Sequence, residues 1–341
     1  MRAHPPSADQ AAQTRPADAQ GIVDAVVIGR NEGARLQAAL QSLEGAVRYV
    51  VYVDSGSGDG SPDLAREAGA RVVALDMTHP FTAARARNEG LAHLPCDPPA
   101  RYVQFMDGDC TLRDGWIRAA RAYLDSHPQT AVICGRRRER HPEASVYNRL
   151  CDREWNTPPG PARACGGDAM MRREALNAVG GFRADLIAGE EPELCLRLRE
   201  AGWHIHRLDT EMTWHDAQMT RFAQWWKRSR RAGHAFAEGA ALHGTGPDRH
   251  YVRETRRALI WGIGVPATAA ALAAFHPAGA AVVLAWPAQV LRLALRDRDG
   301  HRAAWEHALF TVLGKLPEAV GVLEYHAGRL RGRRRSLIEY R

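Results

Sequence analysis

Two aspartates, Asp107 and Asp109, flank a single glycine directly after the apolar run RYVQFM at residues 101–106. Such a run predicts a buried strand, so both carboxylates would stand at its carboxyl end. Carboxylate oxygens are the ligands that Mg²⁺ or Mn²⁺ prefers. His215, in the segment TWHD, could add a neutral imidazole to the same site, although a lone histidine is more often structural. The sequence therefore predicts Asp107, Asp109 and His215 as candidate metal ligands.

A second acidic group, GEEPEL at residues 189–194, opens a predicted amphipathic helix over 191–203. Acidic residues in a first turn stabilise the helix dipole, which is one sufficient explanation for them. A carboxylate that activates a hydroxyl must lie near its substrate, and crowding of like charges raises the pKa of one member of such a group. Glu190 and Glu191 are therefore candidates for a general base.

Asp54 follows the apolar run VRYVVYV at residues 47–53 and begins the loop DSGSGDGS. A carboxylate beside small residues leaves room for a flat ring and can accept a hydrogen bond from a base or a ribose. The Asp-Ser-Gly sequence also forms ordinary turns, and both explanations stay open at this stage.

Elements of a parallel α/β sheet must position these residues. Strands are predicted at residues 22–28, 47–53, 70–75 and 101–106, with helical patterns between them. Alternation of strands and helices predicts an open parallel sheet, whose ligands bind at the carboxyl ends of the strands.

The second half of the chain is less regular. We predict a helix near 115–126, a strand at 130–135 and a long variable loop over the Arg- and Pro-rich residues 136–165. A helix followed by a turn is predicted at 171–182. Farther along, a short strand is predicted near 205–208 and a helix with a strongly basic face over 218–242.

The segment at 259–291 differs from all that precedes it, because its first 17 residues carry no charge and His276-Pro277 then interrupts it. This length predicts one membrane span or a hairpin of two short helices, and the arginines on both flanks suit a hairpin whose two ends face the cytoplasm. The alternative is an Ala-rich soluble helical pair. The tail, residues 303–341, has apolar residues at helical spacing and ends in a basic stretch, which suits an anionic membrane surface or a solvated tail.

Composition restricts the class of protein. The chain has 341 residues, 45% hydrophobic and 25% charged, with a net charge of +7, which is globular composition and favours anionic partners. The six cysteines lack zinc-site spacing and are expected to be reduced thiols. Residues 1–20 have no apolar signal-peptide core and are expected to be disordered. No recognition motif supports binding of nucleic acid.

Taken in order, the motifs resemble those of the family 2 glycosyltransferases. The segments that carry the resemblance are VVIGRNEGARL, VDSGSGDGS, ARARNEGL, FMDGDC, GGDAMMRREAL with GGF, GEEPELCLRLREAGW and TWHD. The resemblance covers residues 22–240. It implies the GT-A fold, an open mixed sheet flanked by helices, here followed by a C-terminal helical, membrane-associated extension. The implied domains are 1–20 (disordered), 21–245 (GT-A) and 246–341 (helical).

The resemblance also implies roles for individual residues. Asp54 matches the carboxylate that holds the nucleotide base, and Asp107 and Asp109 match the Asp-x-Asp motif, near the ribose and on the metal respectively. Glu191 stands at the position of the catalytic base, with Glu190 in reserve. The remaining residues implied at the nucleotide-sugar are Gly29, Arg30, Asn31, Glu32, Arg87, Gly167 and Asp168.

The implied activity is inverting transfer from a nucleoside-diphosphate sugar to a hydroxyl acceptor, with Mg²⁺ or Mn²⁺. The apolar segment at 259–291 and the basic tail predict a saccharide or lipid-linked acceptor in cell-surface or lipid-linked polysaccharide synthesis. They also predict a location at the cytoplasmic face of the membrane, in contact with the inner leaflet, or alternatively the cytoplasm. Glu-Glu-Pro-Glu departs from the usual Glu-Asp-x-Glu, so a catalytically inactive, membrane-attached nucleotide-binding scaffold is one alternative function. A sugar nucleotidyltransferase is the other, but GRNEG is a poor phosphate loop for it.

Overall fold

The computed structural model describes residues 23–297 and 301–332. The predicted disorder of residues 1–20 and the last part of the basic tail lie outside the described residues. Nine strands form one sheet in the described part of the chain. They are β1 Val23–Gly29, β2 Val50–Asp54, β3 Arg71–Ala74, β4 Tyr102–Asp107, β5 Cys110–Leu112, β6 Thr130–Glu139, β7 Gly160–Pro161, β8 Ala169–Arg172 and β9 His204–His215.

Strands β3, β2, β1 and β4 form the parallel half of the sheet, in that order. Their β-branched and aromatic side chains, such as Val26, Val51 and Phe105, are fully buried, because helices cover both faces of a parallel sheet. The register aligns Gly29 with Asp54 and Ile28 with Asp107. The carboxyl ends of three strands therefore meet at one edge, as the sequence predicts.

The other half makes the sheet mixed, which confirms the expected fold class. Strand β8 runs antiparallel to both β4 and β6, and β9 runs parallel to β6 but antiparallel to β5. The short strand predicted near 205–208 is only part of β9, which spans 12 residues. The helix predicted from residue 171 begins at Arg173 instead, because Met171 and Arg172 are the end of β8.

The loop predicted over 136–165 is wrong in its first half. Strand β6 continues to Glu139 and is followed by a helix, α5, over Val146–Glu154. The run of arginines is polar in composition, yet it stays extended because its guanidinium groups are paired. Arg136 contacts Asp152 at 3.0 Å, and Arg138 contacts Glu211 at 2.9 Å.

Helices flank the sheet and then continue as a C-terminal helical region. The flanking helices are α1 Ala34–Leu43, α2 Ser61–Glu67, α3 Ala83–Ala92, α4 Trp116–Ser126, α5, α6 Arg173–Ala178 and α7 Glu190–Glu200. The later helices are α8 Phe222–His243, α9 Val252–Leu259, α10 Val265–Phe275, α11 Ala285–Arg296, α12 His301–Leu313 and α13 Lys315–Leu330. Helix α13 packs closely on α8, because Gly233 and Gly321 bring the two backbones together.

Two helical segments, Val252–Phe275 and Pro277–Arg296, are long and apolar enough to cross a membrane. They correspond to the predicted apolar hairpin and meet near the His276-Pro277 break. Large apolar side chains in them are exposed, including Phe275 at 90% and Leu284 at 64% of their surface. On α12 and α13, Leu309 and Leu323 of the predicted amphipathic tail are also exposed, so that face is unpaired within the described residues.

Helix α3 lies unusually close to the sheet. Thr82 caps it by accepting a hydrogen bond from the Arg85 amide at 3.0 Å. Gly90 faces the sheet, where an added Cβ would lie 2.3 Å from Cγ1 of Val26 and 3.1 Å from Cγ2 of Val53. A larger residue at position 90 would therefore push the helix away from β1 and β2.

We expect the substitution Gly90→Ala to lower the free energy of unfolding by about 1–3 kcal/mol, the usual effect of overpacking a dense core. A denaturant titration followed by circular dichroism measures the change. Gly58→Ala is the matched control, since nothing lies within 4 Å of an added Cβ there. Equal midpoints for the two variants would contradict the close packing of α3.

Candidate active site

A cavity of 620 Å³ opens at the carboxyl ends of β1 and β4, and we call it the sheet-edge cavity. Most of the predicted site residues line it. They are Gly29, Arg30, Asn31, Glu32, Arg87, Asp107, Asp109, Gly167, Glu190 and His215. Asp54, Asp168 and Glu191, which were also predicted, lie outside this lining. The structure thus brings together residues that are up to 186 positions apart, from Gly29 to His215.

Arg87 connects the two acidic motifs. From the buried face of α3, its guanidinium donates to Glu190 Oε1 at 2.7 Å and to Asp107 Oδ1 at 2.8 Å. Burial opposes its charge, but Asp107 and Glu190 raise the pKa of Arg87 above its ordinary value. The arginine is therefore a permanent cation that holds both carboxylates in place.

Asp168 supports Asp107 from behind the cavity wall. It is fully buried, and its Oδ1 accepts a hydrogen bond from the Asp107 amide at 3.0 Å, while its Oδ2 accepts one from Thr213 at 2.9 Å. Arg137 lies 2.8 Å from Asp168 and 3.6 Å from Asp107. Asp168 thus orients Asp107 and Arg137 instead of facing a ligand in the cavity itself.

Asp109 and His215 lie next to each other because β5 and β9 pair with Cys110 opposite His215. The Asp109 carboxylate is 3.3 Å from Nε2 of His215, and both side chains are nearly buried. Behind the ring, Nδ1 is 3.7 Å from Glu139. The Nδ1 atom is buried and has no hydrogen-bond partner within the described residues.

This donor set fits a divalent cation. One carboxylate and one imidazole converge on the cavity, and a carboxylate behind the imidazole is the usual way in which a metal-binding histidine is oriented. Asp107, the third predicted ligand, has its two oxygens directed at Arg87 and Arg137. The geometry therefore favours Asp109 and His215 as direct ligands, whereas the carboxylate of Asp107 is engaged by the two arginines.

The loop after β1 forms the side wall of the cavity. Asn31 adopts a left-handed conformation with φ of 55°, and its side chain accepts a hydrogen bond from the Gly58 amide at 2.8 Å. Asp54 holds the facing loop by accepting from the amides of Gly56 and Ser57 at 3.0 and 2.9 Å. Burial and the nearby Asp54 raise the pKa of Tyr52, whose hydroxyl donates to Asp54. These bonds fix the shape of both loops.

The two glutamates that begin α7 point in different directions. Glu190 lines the cavity and pairs with Arg87. The carboxylate of Glu191 is buried and accepts hydrogen bonds from the Cys165 amide and, at 3.0 Å, from the Cys195 thiol. Glu190 thus lines the cavity, whereas Glu191 points into the interior beside Cys165 and Cys195.

Several residues of the site were not predicted from the sequence. Arg137, Glu139 and Trp155 were assigned to a loop, yet Arg137 and Trp155 line the cavity and Glu139 lies behind His215. The missed signal was the alternation within RRRE, because alternate residues of an extended strand face opposite sides of the sheet. Arg137 stacks over the Trp155 ring at 5.3 Å, which gives the cavity an aromatic wall.

The cavity carries net positive charge. Its arginines outnumber its carboxylates by six to four. The arginines are Arg30, Arg35, Arg87, Arg137, Arg228 and Arg231, and the acids are Glu32, Asp107, Asp109 and Glu190. A positive pocket with two acidic ligand candidates at its floor is suited to a polyphosphate that arrives with a divalent cation.

We expect Asp109→Asn to weaken Mn²⁺ binding by about tenfold or more, and Glu139→Gln to weaken it by about 10–100-fold through the histidine that Glu139 faces. Titration of Mn²⁺, followed by electron paramagnetic resonance in the presence of a nucleoside diphosphate, measures both. Asp114→Asn, at an exposed aspartate outside the cavity, is the control. Unchanged binding in the Asp109 variant would contradict the ligand assignment.

Residues 24–180 match the family model described as glycosyl transferase family 2. The pre-mycofactocin glycosyltransferase of Mycobacterium tuberculosis is 27% identical over 238 residues, which are 67% of this chain and 48% of that protein. A TPR repeat-containing protein of Synechococcus elongatus is 30% identical over 141 residues, 41% of this chain and 33% of that protein. The chain thus spans half or less of the length of these curated relatives.

Among solved structures, the fold is similar to that of a mannosyltransferase, PcManGT of Pyrobaculum calidifontis, in complex with GDP-Man and Mn²⁺. The TM-score is 0.63 at 20% identity, covering 89% of this chain and 87% of the other. That likeness shows the shared fold. Together with the ordered motifs around the sheet-edge cavity, these comparisons show that residues 24–180 are similar to glycosyl transferase family 2 and that the chain has a GT-A-like fold.

Proposed function

We propose that the protein is an inverting glycosyltransferase that moves a sugar from a nucleoside-diphosphate sugar to a hydroxyl acceptor. The observation that carries the proposal is the convergence of Asp109, His215 and Asp107 in a positively charged cavity at the carboxyl edge of the sheet. Similarity to this family favours sugar transfer over synthesis of the nucleotide-sugar itself, because that second reaction would require a phosphate loop that GRNEG does not resemble.

The donor would occupy the sheet-edge cavity. Residues 29–32 form one wall for the nucleotide, and Asp54 holds the neighbouring loop at the base end. Asp109 and His215 would hold Mg²⁺ or Mn²⁺, which offsets charge on the departing diphosphate. Gly167 packs against Asp107, where an added Cβ would be 2.8 Å from Oδ2, so a larger residue at this position would displace that carboxylate.

Glu191 is proposed as the base and Glu190 as a positioning residue. The Glu190 carboxylate is already engaged by the Arg87 guanidinium at 2.7 Å, which fixes its position at the cavity. Glu191 accepts bonds only from an amide and a thiol among the described residues. In the reaction, Glu191 takes the proton of the acceptor hydroxyl. The oxygen bonds to the anomeric carbon as the bond to the diphosphate breaks on the opposite face, so the configuration inverts.

We expect Glu191→Gln to lower kcat by about 10²–10⁴-fold while leaving nucleotide binding nearly unchanged, since the amide keeps the shape and loses the proton acceptor. Release of nucleoside diphosphate is measured over a panel of donors with Mn²⁺, beginning with GDP-mannose because the similar fold binds it. Glu200→Gln, at the exposed end of the same helix, is the control.

Three results would change the assignment. Loss of turnover in Glu190→Gln alone, with binding intact, would transfer the role of base to Glu190. Loss of nucleotide binding in the Glu191 variant would show that this residue is structural. Metal-dependent nucleotide binding without turnover on any donor and acceptor would support an inactive scaffold.

We propose further that the GT-A domain, residues 21–245, is held at the cytoplasmic face of a membrane by the helical region 246–341. The exposed apolar side chains of α10 and α11 support this location, because large apolar patches on a soluble monomer are rare. Arginines on both flanks of the hairpin favour a cytoplasmic position for both ends. A lipid-linked or saccharide acceptor in cell-surface polysaccharide synthesis suits that location.

We expect Leu272→Arg to shift the full chain from the membrane fraction to the soluble fraction, because a central arginine costs about 2.5–3.5 kcal/mol for insertion. Met77→Arg is the matched control, as Met77 and Leu272 are both 45% exposed but Met77 lies in the GT-A domain. Fractionation of cells with immunodetection measures the distribution. Equal distributions for the two variants would favour the soluble helical pair.

A further inference from the structure

A second cavity, of 720 Å³, lies where α9 leaves the GT-A domain, and we call it the arginine-lined cavity. Its lining has six guanidinium groups and only two carboxylates. The arginines are Arg163, Arg199, Arg249, Arg253, Arg256 and Arg257, and the acids are Asp248 and Glu254. Such an excess of one charge in a concave surface concentrates anions.

Most of this positive charge has no internal partner. Asp248 pairs with Arg163 at 2.9 Å and also with Arg199, so its charge is already shared. The side chains of Arg249, Arg253, Arg256 and Arg257 form no ion pair or hydrogen bond with any residue of 23–297 or 301–332. An anion that enters the cavity therefore meets guanidinium donors that are still available.

Three of these arginines crowd a single helix face. Arg253 lies three and four positions before Arg256 and Arg257 in α9, and like charges at that spacing destabilise a helix. A bound anion would remove this repulsion. Guanidinium groups favour phosphate in particular, because their planar fork donates two parallel hydrogen bonds to it.

The cavity lies beside a segment long enough to cross a membrane, which favours a membrane lipid as the molecule that carries the anion. The three helical arginines of the cavity stand on the first turns of Val252–Phe275, the first apolar segment long enough to cross a membrane. Ile260, 52% exposed, lies three residues after Arg257 and also lines the cavity. Charged side chains followed within one helical turn by an exposed apolar one match the border between phosphate headgroups and hydrocarbon.

The cavity also borders the start of α7. Pro192 lines it, whereas Glu190 lines the sheet-edge cavity, so Glu191 lies between the two. Ala164 lines it as well, next to Cys165, whose amide donates to Glu191. Burial first and Glu191 second raise the pKa of Tyr251, another lining residue. A ligand in this cavity would therefore lie beside the proposed base.

We propose that the arginine-lined cavity binds the anionic phosphate headgroup of a membrane lipid and that this phosphate-bearing lipid is the acceptor. The inference rests on the proposed function and specifies its acceptor class. The phosphate pairs with Arg253, Arg256 and Arg257, and the acceptor hydroxyl of the same lipid extends past Pro192 toward Glu191. The two substrates thus approach α7 from opposite sides.

The test uses the full chain in non-ionic detergent, titrated calorimetrically with dihexanoyl phosphatidic acid, dihexanoyl phosphatidylcholine and inorganic diphosphate. We expect the doubly substituted variant Arg256→Gln/Arg257→Gln to bind phosphatidic acid about tenfold more weakly or worse, since two charge-assisted contacts are lost. Arg292→Gln/Arg296→Gln is the matched control, because this pair flanks the second apolar segment outside the cavity. The control is expected to bind like the unmodified chain.

Each other outcome overturns the inference. Equal losses in both variants would mean general attraction to anionic lipid. Phosphatidylcholine binding as tightly as phosphatidic acid would exclude recognition of an anionic headgroup. Inorganic diphosphate that binds as tightly as phosphatidic acid, with the same dependence on Arg256 and Arg257, would replace the lipid by a soluble phosphate.

The readout separates this inference from the proposed function. Binding of phosphatidic acid does not depend on sugar transfer, and Glu191→Gln is expected to bind it normally. Normal binding with no transfer from any donor would remove the transferase proposal. If Arg256→Gln/Arg257→Gln transfers sugar to a hydroxyl acceptor with unchanged kcat/KM, the proposed acceptor site is wrong and the transferase proposal stands.

Discussion

Burial of a permanent cation between two carboxylates is the constraint on which the site depends. Arg87 is almost fully buried, and its partners Asp107 and Glu190 come from β4 and α7, so three distant elements must meet within hydrogen-bonding distance. Removing one partner of such a group typically costs about 3–5 kcal/mol, because a charge is left uncompensated. The sheet edge, the start of α7 and the face of α3 are therefore positioned together.

The mixed half of the sheet positions the candidate metal ligands next to this buried ion-pair cluster. Strand β9 lies between β6 and β5, which brings His215 opposite Cys110 and places Glu139 behind the imidazole. Asp168, at the start of β8, links the same region to the Asp107 amide. The parallel half supplies an open edge for a ligand, and the mixed half supplies a buried polar layer beside it.

The start of α7 lies between two basic cavities with different surroundings. The sheet-edge cavity adjoins the GT-A sheet, and the arginine-lined cavity adjoins the first apolar segment of the C-terminal region. Successive residues Glu190, Glu191 and Pro192 face one cavity, the interior and the other cavity. Successive residues at the start of a helix can face different surroundings because their side chains leave the helix axis in directions about 100° apart.

Local sequence signals were sufficient to predict the strands and helices of the parallel half of the sheet. Apolar runs, helical periodicity and Gly- or Asp-rich turns predicted β1 to β4 and α1 to α3 within a few residues, because each signal lies inside the element it describes. The motif residues Asp107, Asp109, Glu190 and His215 were also found by type and spacing. The arrival of Asp107 and Asp109 at one edge follows from the carboxyl ends of parallel strands, whereas Glu190 and His215 are brought there by α7 and β9.

Tertiary structure alone decided the rest. The polar run RRRE became part of β6 because Asp152, Glu211 and Asp168, distant in sequence, pair with its arginines. The different orientations of Glu190 and Glu191, and the separation of Asp54 from the cavity lining, depend on contacts that no local pattern records. Composition predicts which segments are buried, but the pairing of buried charges is set by partners that only the folded chain brings together.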